Sequence, residues 1–362
     1  MTQADVAIIG AGVAGLRAAG LLKKAGLDCV VLEARDRLGG RIITVDAHGH
    51  PSPDGFDLGP SWFWPDTQPD IGRLVDELGL GSFLQHSQGD VVFERMSREP
   101  SHRFRPIRQE PQSRRLLGGS AALIRALAAQ VEPARIRLST KVTEARLSDD
   151  GVVLITRDSG GRTGLVHAGR IVAAVPPRLL AATVQFLPAM PDQTMARWRA
   201  TPTWMAPHAK FFAFYDRPFW REDGLSGTAQ SMVGPIVEMH DATTVSGAAA
   251  LMGFIGVAAE QRAARGEADL TGACLGQLAR IFGPQAKYPQ ATLIKDWAAD
   301  PLTATDADRF AGGYITPSDE PWVTGIWASR LVPAGSETSP VEPGYLAGAA
   351  VAAERAAQAI LT

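Results

Sequence analysis

The chain has 362 residues, 45% of them hydrophobic, and a formal net charge of −2, which is typical of a folded globular protein with two domains or one elaborated domain. The near-neutral charge argues against a nucleic-acid or anionic-membrane partner, because both select a basic surface. No apolar run reaches the ~18 residues of a membrane helix and no basic leader precedes the first apolar segment, so we expect a cytoplasmic protein.

The first predicted elements are a strand, a glycine turn, a helix and a second strand that ends on an acid. The apolar run 6–9 leads into residues 10–15, which read Gly-Ala-Gly-Val-Ala-Gly, and the apolar run 29–32 ends at Glu33. Strand, glycine turn, helix, strand and acid in this order are typical of a dinucleotide-binding βαβ unit.

Each glycine of the turn has a physical task in such a unit. Gly10 permits the tight turn, Gly12 lets the backbone approach a pyrophosphate, and Gly15 allows the helix to pack closely on the strand. The helix N-terminus offers free N–H groups to the phosphates. Glu33, 21 residues after Gly12, is placed to accept hydrogen bonds from ribose hydroxyls.

A second glycine turn follows at residues 39–41, Gly-Gly-Arg. A nicotinamide-dependent enzyme has no need for this second turn. A second turn near the pyrophosphate would let the Arg41 guanidinium donate several hydrogen bonds to it. The alternative interpretation is an ordinary basic, solvated loop.

The remaining elements follow from periodicity and from glycine and proline signals. We predict a loop at 48–69, helices at 70–80 and 118–131, and a polar segment at 82–113 with a short strand near 91–93. Further strands are predicted at 135–138, 142–147, 152–156, 171–175, 210–215, 249–255, 292–297 and 326–328, with helices near 257–265, 269–282 and 344–361.

Six further motifs occur in order along the chain. They are residues 57–62 (Asp-Leu-Gly-Pro-Ser-Trp), 117–120 (Leu-Gly-Gly-Ser), 141–142 (Lys-Val), 173–177 (Ala-Ala-Val-Pro-Pro), 334–338 (Ala-Gly-Ser-Glu-Thr) and 344–349 (Gly-Tyr-Leu-Ala-Gly-Ala). Together with residues 33–41, they resemble the flavin monoamine oxidase family, which includes monoamine and polyamine oxidases, in a shortened form. The resemblance covers most of the chain and implies FAD as the cofactor.

The resemblance and the glycine fingerprint together predict the residues around FAD. The predicted cofactor-binding residues are Gly10, Gly12, Val13, Ala14, Gly15, Glu33, Ala34, Arg35, Gly40, Arg41, Gly59, Pro60, Ser61, Val142, Trp297, Gly335, Glu337, Gly344 and Tyr345. In relatives the pair matching Gly344 and Tyr345 opens a helix aimed at the flavin, whose dipole would stabilise the anionic reduced ring.

The fold class that follows is α/β, with a Rossmann-like FAD-binding domain and a second, reduced substrate domain of α+β character on a mixed sheet. The predicted FAD-binding domain is discontinuous and comprises residues 1–81, 114–199 and 298–362. The predicted substrate domain comprises residues 82–113 and 200–297.

Lys210 is the predicted catalytic residue. The resemblance aligns it with a lysine that holds a water at flavin N5, ten residues before the Trp of a Pro-Phe-Trp motif at 218–220; by itself it could equally be a snorkelling lysine at a strand edge. Tyr345 and Trp62 are the predicted aromatic walls of the substrate site, and core packing is the alternative for each. The implied reaction is hydride transfer from a neutral amine to N5, hydrolysis of the imine, and reduction of dioxygen to hydrogen peroxide.

Two departures from the family affect the flavin and the substrate. Relatives carry an aromatic residue, and some a flavin-linking cysteine, about ten residues after the tryptophan that matches Trp297. Residues 298–307 contain neither, so we expect non-covalent FAD and no second aromatic wall unless the loop of Tyr314 folds back. The segment 81–117 replaces a longer helical roof, which leaves the site open, covered by another subunit, or adapted to a large substrate; we favour a homo-oligomer.

The expected partner is therefore a small-molecule amine, without nucleic acid, membrane anchor or metal, since the seven histidines and two cysteines show no ligand spacing. Two other functions stay open. One is a flavin dehydrogenase or desaturase acting on C–C bonds, and the other is a flavin-binding partner subunit without turnover of its own.

Overall fold

The computed structural model describes residues 2–105, 111–310, 313–318 and 320–362. Its strands are β1 (Thr2–Ile9), β2 (Cys29–Leu32), β3 (Thr44–Val45), β4 (Phe56–Asp57), β5 (Ser82–Leu84), β6 (Asp90–Glu94), β7 (His102–Phe104), β8 (Arg114–Leu116), β9 (Ile136–Arg137), β10 (Thr140–Ser148), β11 (Gly151–Asp158), β12 (Thr163–Ala173), β13 (Gln185–Leu187), β14 (Ala209–Tyr215), β15 (Leu225–Ser231), β16 (Ile236–Asp241), β17 (Ala249–Ile255), β18 (Ala291–Asp296) and β19 (Leu331–Pro333).

Its helices are α1 (Val13–Lys24), α2 (Pro69–Glu77), α3 (Ala121–Ala128), α4 (Pro177–Thr183), α5 (Asp192–Ala200), α6 (Phe219–Glu222), α7 (Ala259–Arg265), α8 (Glu267–Phe282) and α9 (Leu346–Leu361). Short 3-10 helices lie at Pro133–Arg135, Pro284–Lys287, Asp306–Arg309, Gly325–Trp327 and Ser336–Thr338.

The first sheet brings the ends of three parallel strands to one edge. Its order is β13-β10-β11-β12-β1-β2-β9, with β19 also paired to β12. β1 is parallel to both β12 and β2, and its residues 6–9 are buried on both faces, as the strands of a helix-covered parallel sheet are. The glycine turn after β1, Glu33 after β2 and the segment after β12 therefore meet at the carboxyl edge, where such sheets bind ligands.

The second sheet is mixed and has the order β18-β14-β17-β16-β15-β6-β7. Only the β15–β6 pair is parallel among its neighbouring strands. Side chains alternate along β14: Phe211 packs with the apolar residues of α8, whereas Phe212 packs with Phe56 of β4 and with Leu58, which directly follows β4. Lys210 is on the Phe212 face, so it points toward the first sheet's loops. The predicted α/β fold class, with a Rossmann-like domain and a mixed sheet, is confirmed.

One predicted strand is wrong. Residues 326–328 were expected to form a strand, but they lie at a 3-10 helix, and β19 is the strand that pairs with β12. The buried Trp327 donates from Nε1 to the Pro188 carbonyl oxygen, 2.9 Å away. The apolar run 326–328 therefore marks one anchored tryptophan and not a strand. A three-residue apolar run cannot distinguish a strand from a buried helical turn.

The strands of the first sheet all come from residues 1–81, 114–199 and 298–362, and those of the second from 82–113 and 200–297. The domain boundaries themselves stay a prediction. In the described residues of the short segment 81–117, β6 and β7 extend the second sheet rather than forming a helical roof. None of the helices in the described ranges is long and apolar enough to cross a membrane.

Candidate active site

A cavity of about 500 Å³ runs along the carboxyl edge of the first sheet to the second sheet. The glycine turns and Glu33 line one end, and Lys210 lines the other. The predicted residues that line it are Gly10, Gly12, Val13, Ala14, Glu33, Ala34, Arg35, Gly40, Arg41, Gly59, Pro60, Ser61, Trp62, Val142, Lys210, Trp297, Gly344 and Tyr345. Three predicted cofactor-binding residues do not line it: Gly15, Gly335 and Glu337 lie behind its wall.

The first glycine turn is shaped for a ligand that approaches the backbone. Gly10 has φ +102°, and a Cβ there would lie 2.8 Å from the Ala174 carbonyl oxygen. A Cβ on Gly15 would lie 1.9 Å from the Gly10 carbonyl oxygen, so Gly15 supports the turn from behind. Over Gly12 the nearest atom to a Cβ is 3.9 Å away. The turn therefore leaves an open cradle at the N-terminus of α1, which carries neither an acidic first turn nor a side-chain cap and fits a pyrophosphate.

Glu33 is fixed beside this cradle. Its side chain is buried, and its two carboxylate oxygens each accept one backbone N–H, from Ala11 and from Arg35, both at 2.8 Å. Each oxygen keeps a lone pair, so the carboxylate can still accept ribose hydroxyls from the cavity. The Arg35 guanidinium turns away to Asp300, 2.9 Å from it, and to Thr303.

Arg41 makes contacts that the sequence does not predict. It donates to Glu337 Oε1 at 2.6 Å, to Ser336 Oγ at 3.0 Å and to the Trp204 carbonyl oxygen at 3.1 Å. Glu337 is fully buried and also accepts the Trp204 N–H at 3.3 Å. The Arg41–Glu337 pair thus holds the backbone of Trp204 on both sides, and a role of Arg41 on the pyrophosphate stays a prediction.

Lys210 lies where the loop of residues 57–61 meets the second sheet. Its Nζ donates to the carbonyl oxygens of Asp57 (3.2 Å) and Gly59 (2.5 Å) and to Ser61 Oγ (3.0 Å). The side chain is only 5% exposed, and this burial lowers the pKa of Lys210 to about 7. Lys210 is therefore a buried amine whose pKa lies near neutral pH. Such a shifted pKa is common at catalytic positions.

The lowered pKa predicts a pH-dependent stability. Between pH 7 and the ordinary lysine value of 10.5, the unfolded chain binds a proton that the folded chain does not, so stability rises with pH. Relative to Lys210→Met, the wild-type free energy of unfolding should gain about 1 kcal/mol per pH unit in this window. Urea unfolding at several pH values measures it, and parallel curves for the two proteins would contradict it.

Four aromatic side chains surround the Lys210 end of the cavity. The Trp62 ring lies 5.6 Å and the Phe254 ring 5.3 Å from Lys210 Nζ. Tyr345 packs against Trp204 with ring centroids 5.0 Å apart and ring planes tilted by 36°. Trp204, which sequence analysis missed, fits beside Gly344 because a Cβ there would lie 2.5 Å from the Trp204 Cβ.

The loop of Tyr314 does fold back, with its ring 5.2 Å from that of Trp204. The Tyr314 side chain is 84% exposed and is not among the described residues that line the cavity, so this contact supports Trp204 without adding a wall to the site. Trp297 lines the cavity and donates from Nε1 to the Leu58 carbonyl oxygen at 3.0 Å, so it also anchors the loop. α9 begins directly after Tyr345, and its first residues line the cavity, which places a helix N-terminus at this end.

Comparisons with known proteins agree with this geometry. Residues 8–78 match the model of an NAD(P)-binding Rossmann-like domain, which defines a dinucleotide-binding protein. Residues 102–361 match the model of flavin containing amine oxidoreductase. The chain belongs to this family, and the predicted family, FAD cofactor and flavin-dependent oxidoreductase activity are confirmed.

Individual relatives cover nearly the whole chain or a part of it. A probable flavin-containing monoamine oxidase A of Dictyostelium discoideum is 26% identical, over 96% of this chain and 95% of the relative. Putrescine oxidase of Kocuria rosea is 42% identical over 25% of this chain and 18% of its own length. The structure of cyclohexylamine oxidase from Brevibacterium oxydans IH-35A, 23% identical, shares the fold over 99% of this chain and 98% of its own, with a TM-score of 0.79.

No group of three or more histidine, cysteine, aspartate or glutamate side chains within the described ranges could hold a metal ion. Both cysteines are buried and free.

Proposed function

We propose that this protein oxidises the C–N bond of a small-molecule amine, with Lys210, Tyr345 and Trp62 at the reacting end of the cavity. The observation that carries the proposal is the position of Lys210, whose buried Nζ lies on the loop 57–61 that also lines the cofactor cavity. A snorkelling edge lysine would direct its amine to solvent, whereas this one is directed into the protein.

The cofactor half of the cavity would hold FAD through the cradle over Gly12, the N-terminus of α1 and the Glu33 carboxylate. When bound, FAD supplies the acceptor for the hydride from the amine α-carbon, and dioxygen then takes the electrons to give hydrogen peroxide. The N-terminus of α9 would stabilise negative charge that develops at this end.

The residues at the Lys210 end of the cavity would favour the neutral form of the substrate amine. The amine must be neutral before its α-carbon can lose a hydride. The environment that lowers the pKa of Lys210 disfavours any cation placed beside it. The rings of Trp62, Phe254 and Tyr345 would exclude water from the space around the substrate amine. With its pKa near 7, Lys210 can hold or release a proton at Nζ at neutral pH. In the neutral form, the Nζ lone pair can accept a hydrogen bond from a water that takes part in imine hydrolysis.

A panel of amines added anaerobically tests the proposal. We expect at least one amine to bleach the flavin of the purified protein, and air to restore the colour with formation of hydrogen peroxide. Bleaching by unsaturated substrates but by no amine would favour the C–C dehydrogenase instead. A flavin that no substrate reduces would identify a partner subunit without turnover.

The flavin should be bound non-covalently, because both cysteines are buried and neither is among the described residues that line the cavity. Precipitation with trichloroacetic acid is expected to release all of the yellow colour into the supernatant, and mass spectrometry should return the unmodified chain mass. Colour retained in the pellet would contradict the prediction.

A further inference from the structure

The Trp62 indole lies over the face of the second sheet that carries Lys210. Lys210, Phe254 and Glu238 pair in one row across β14, β17 and β16, and residues paired in this way share a face. The Trp62 ring lies 6.2 Å from the Phe254 ring and meets the His240 ring edge-on at 4.8 Å. The indole therefore forms one wall of the cavity over this face.

A glutamine from a distant segment holds this indole by its nitrogen. Gln85 directly follows β5, and its Oε1 accepts the Nε1–H of Trp62 at 2.8 Å. The Gln85 Nε2 donates to the carbonyl oxygens of Asp241 at 2.7 Å and His86 at 3.2 Å. An indole nitrogen only donates and a carbonyl oxygen only accepts, so the three contacts fix which way the amide points. A neutral side-chain amide satisfies all of them at once.

The backbone to which Gln85 is attached at Asp241 is itself held firmly. Asp241 is the last residue of β16 and is buried. Its Oδ2 accepts Trp220 Nε1 at 2.8 Å and Arg221 Nε at 2.7 Å. Gln85 thus connects the Trp62 indole to a fixed point of the second sheet.

A second cavity, of about 570 Å³, lies beside this contact. Among the described lining residues, Gln85 lines the second cavity and Trp62 does not, whereas Trp62 lines the cavity of Lys210 and Gln85 does not. The hydrogen-bonded pair therefore separates the two cavities. A side chain with empty space behind it has fewer packing contacts to fix its position, so the hydrogen bond from Gln85 carries more of that task.

We propose that Gln85 is a positioning residue that determines specificity: it holds the Trp62 indole between the two cavities and so limits the bulk of the amine that reaches Lys210. This proposal rests on the proposed amine oxidation and names the residue that sets the size of its substrate. Gln85 belongs to the short segment 81–117, which thereby takes part in the site. Because Gln85 acts through Trp62 and leaves Lys210 in place, its removal affects substrate binding and not the hydride-transfer step.

The size limit is tested on the FAD-loaded protein with two amines. One is the smallest amine of the panel that bleaches the flavin, and the other is the same amine with a diphenylmethyl group on the carbon farthest from its nitrogen. Gln85→Ala removes the anchor of Trp62 and opens the wall toward the second cavity. It should raise kcat/KM for the bulky amine about tenfold above the wild-type value and lower it for the small amine. Gln88→Ala, an exposed glutamine of the same segment, is the matched control and should change neither value.

A double-mutant cycle separates this role from a general loss of stability. Gln85→Met keeps the length of the side chain but cannot accept the indole N–H. It should raise KM for the small amine about five- to tenfold, the usual effect of one neutral hydrogen bond, with kcat unchanged. Combined with Trp62→Phe, which removes the indole N–H, the same substitution should change KM by less than about twofold.

Two results would overturn the role of Gln85 while amine oxidation stands. One is an equal loss of kcat/KM on the small and the bulky amine in Gln85→Ala. The other is an equal rise in KM for Gln85→Met with and without Trp62→Phe. A flavin that no amine bleaches would instead reject the function on which the proposal rests.

Discussion

Lys210→Met is expected to slow flavin reduction by the amine, flavin reoxidation by dioxygen, or both, by about 10²- to 10⁴-fold, the usual effect of removing one proton-handling group. The physical reason is that Met keeps the apolar packing of the buried stem but cannot hold a proton or a water at the position of Nζ. Anaerobic stopped-flow mixing with amine measures the first rate, and mixing of reduced protein with oxygenated buffer measures the second.

The variant also leaves the Gly59 carbonyl oxygen without the Lys210 donor, whereas the Asp57 carbonyl oxygen keeps a hydrogen bond from Ser61 Oγ at 3.3 Å. The loss at Gly59 costs about 1–3 kcal/mol of stability. Urea unfolding separates this loss from the loss of rate. Lys287→Met, an exposed lysine, is the matched control and should retain both rates. If Lys210→Met kept both half-reactions at the wild-type rate, Lys210 would have no part in the mechanism.

Gly15→Ala is expected to give a protein that loses its FAD. The added Cβ would lie 1.9 Å from the Gly10 carbonyl oxygen, so the turn over the pyrophosphate must shift. Such overpacking costs about 1–3 kcal/mol. If this cost destabilises the FAD-binding conformation of the turn, FAD affinity should fall roughly tenfold to hundredfold. Titration of the apoprotein with FAD, followed by flavin fluorescence, measures it.

Gly272→Ala is the control for this substitution. Gly272 lies within α8, and no atom lies within 4 Å of its added Cβ. Its FAD affinity should equal that of the wild type, and its stability should rise by about 0.5–1 kcal/mol, because alanine favours the helix. Wild-type affinity in Gly15→Ala would show that the turn tolerates the displacement.

Most of the nucleotide-binding half could be predicted from the sequence. Strand β1, helix α1, strand β2 and Glu33 follow one another within residues 2–33, and each carries its own local signal: buried apolar runs, glycines and a terminal acid. The position of Gly15 behind the turn agrees with the packing task expected of that glycine. The contacts of Arg41 could not be predicted from the sequence, because its partners Glu337 and Trp204 come from distant segments of the chain.

The elements that the sequence missed are polar or short. Strands β15 and β16 mix apolar with polar and charged residues without a regular period of two, and their pairing with β6 and β17 stabilises them. Because β16 was not recognised, Glu238 and His240 could not be placed on the sheet face that carries Lys210. Trp204 belongs to no motif, and its place beside Tyr345 depends on Gly344 and on the Arg41–Glu337 pair.

The sequence by itself determined the dinucleotide site, because the groups that cradle a pyrophosphate lie on one short βαβ unit whose geometry is local. The further motifs along the chain identified the dinucleotide as FAD through their resemblance to the family. Only the tertiary structure decided the composition of the substrate end. Its side chains come from the loop of Trp62, from Trp204, from strands β14 and β16, which carry Lys210 and Glu238 and lie on either side of β17, and from the start of α9. Sheet register and long-range packing bring these segments together, and no spacing along the chain encodes their distances.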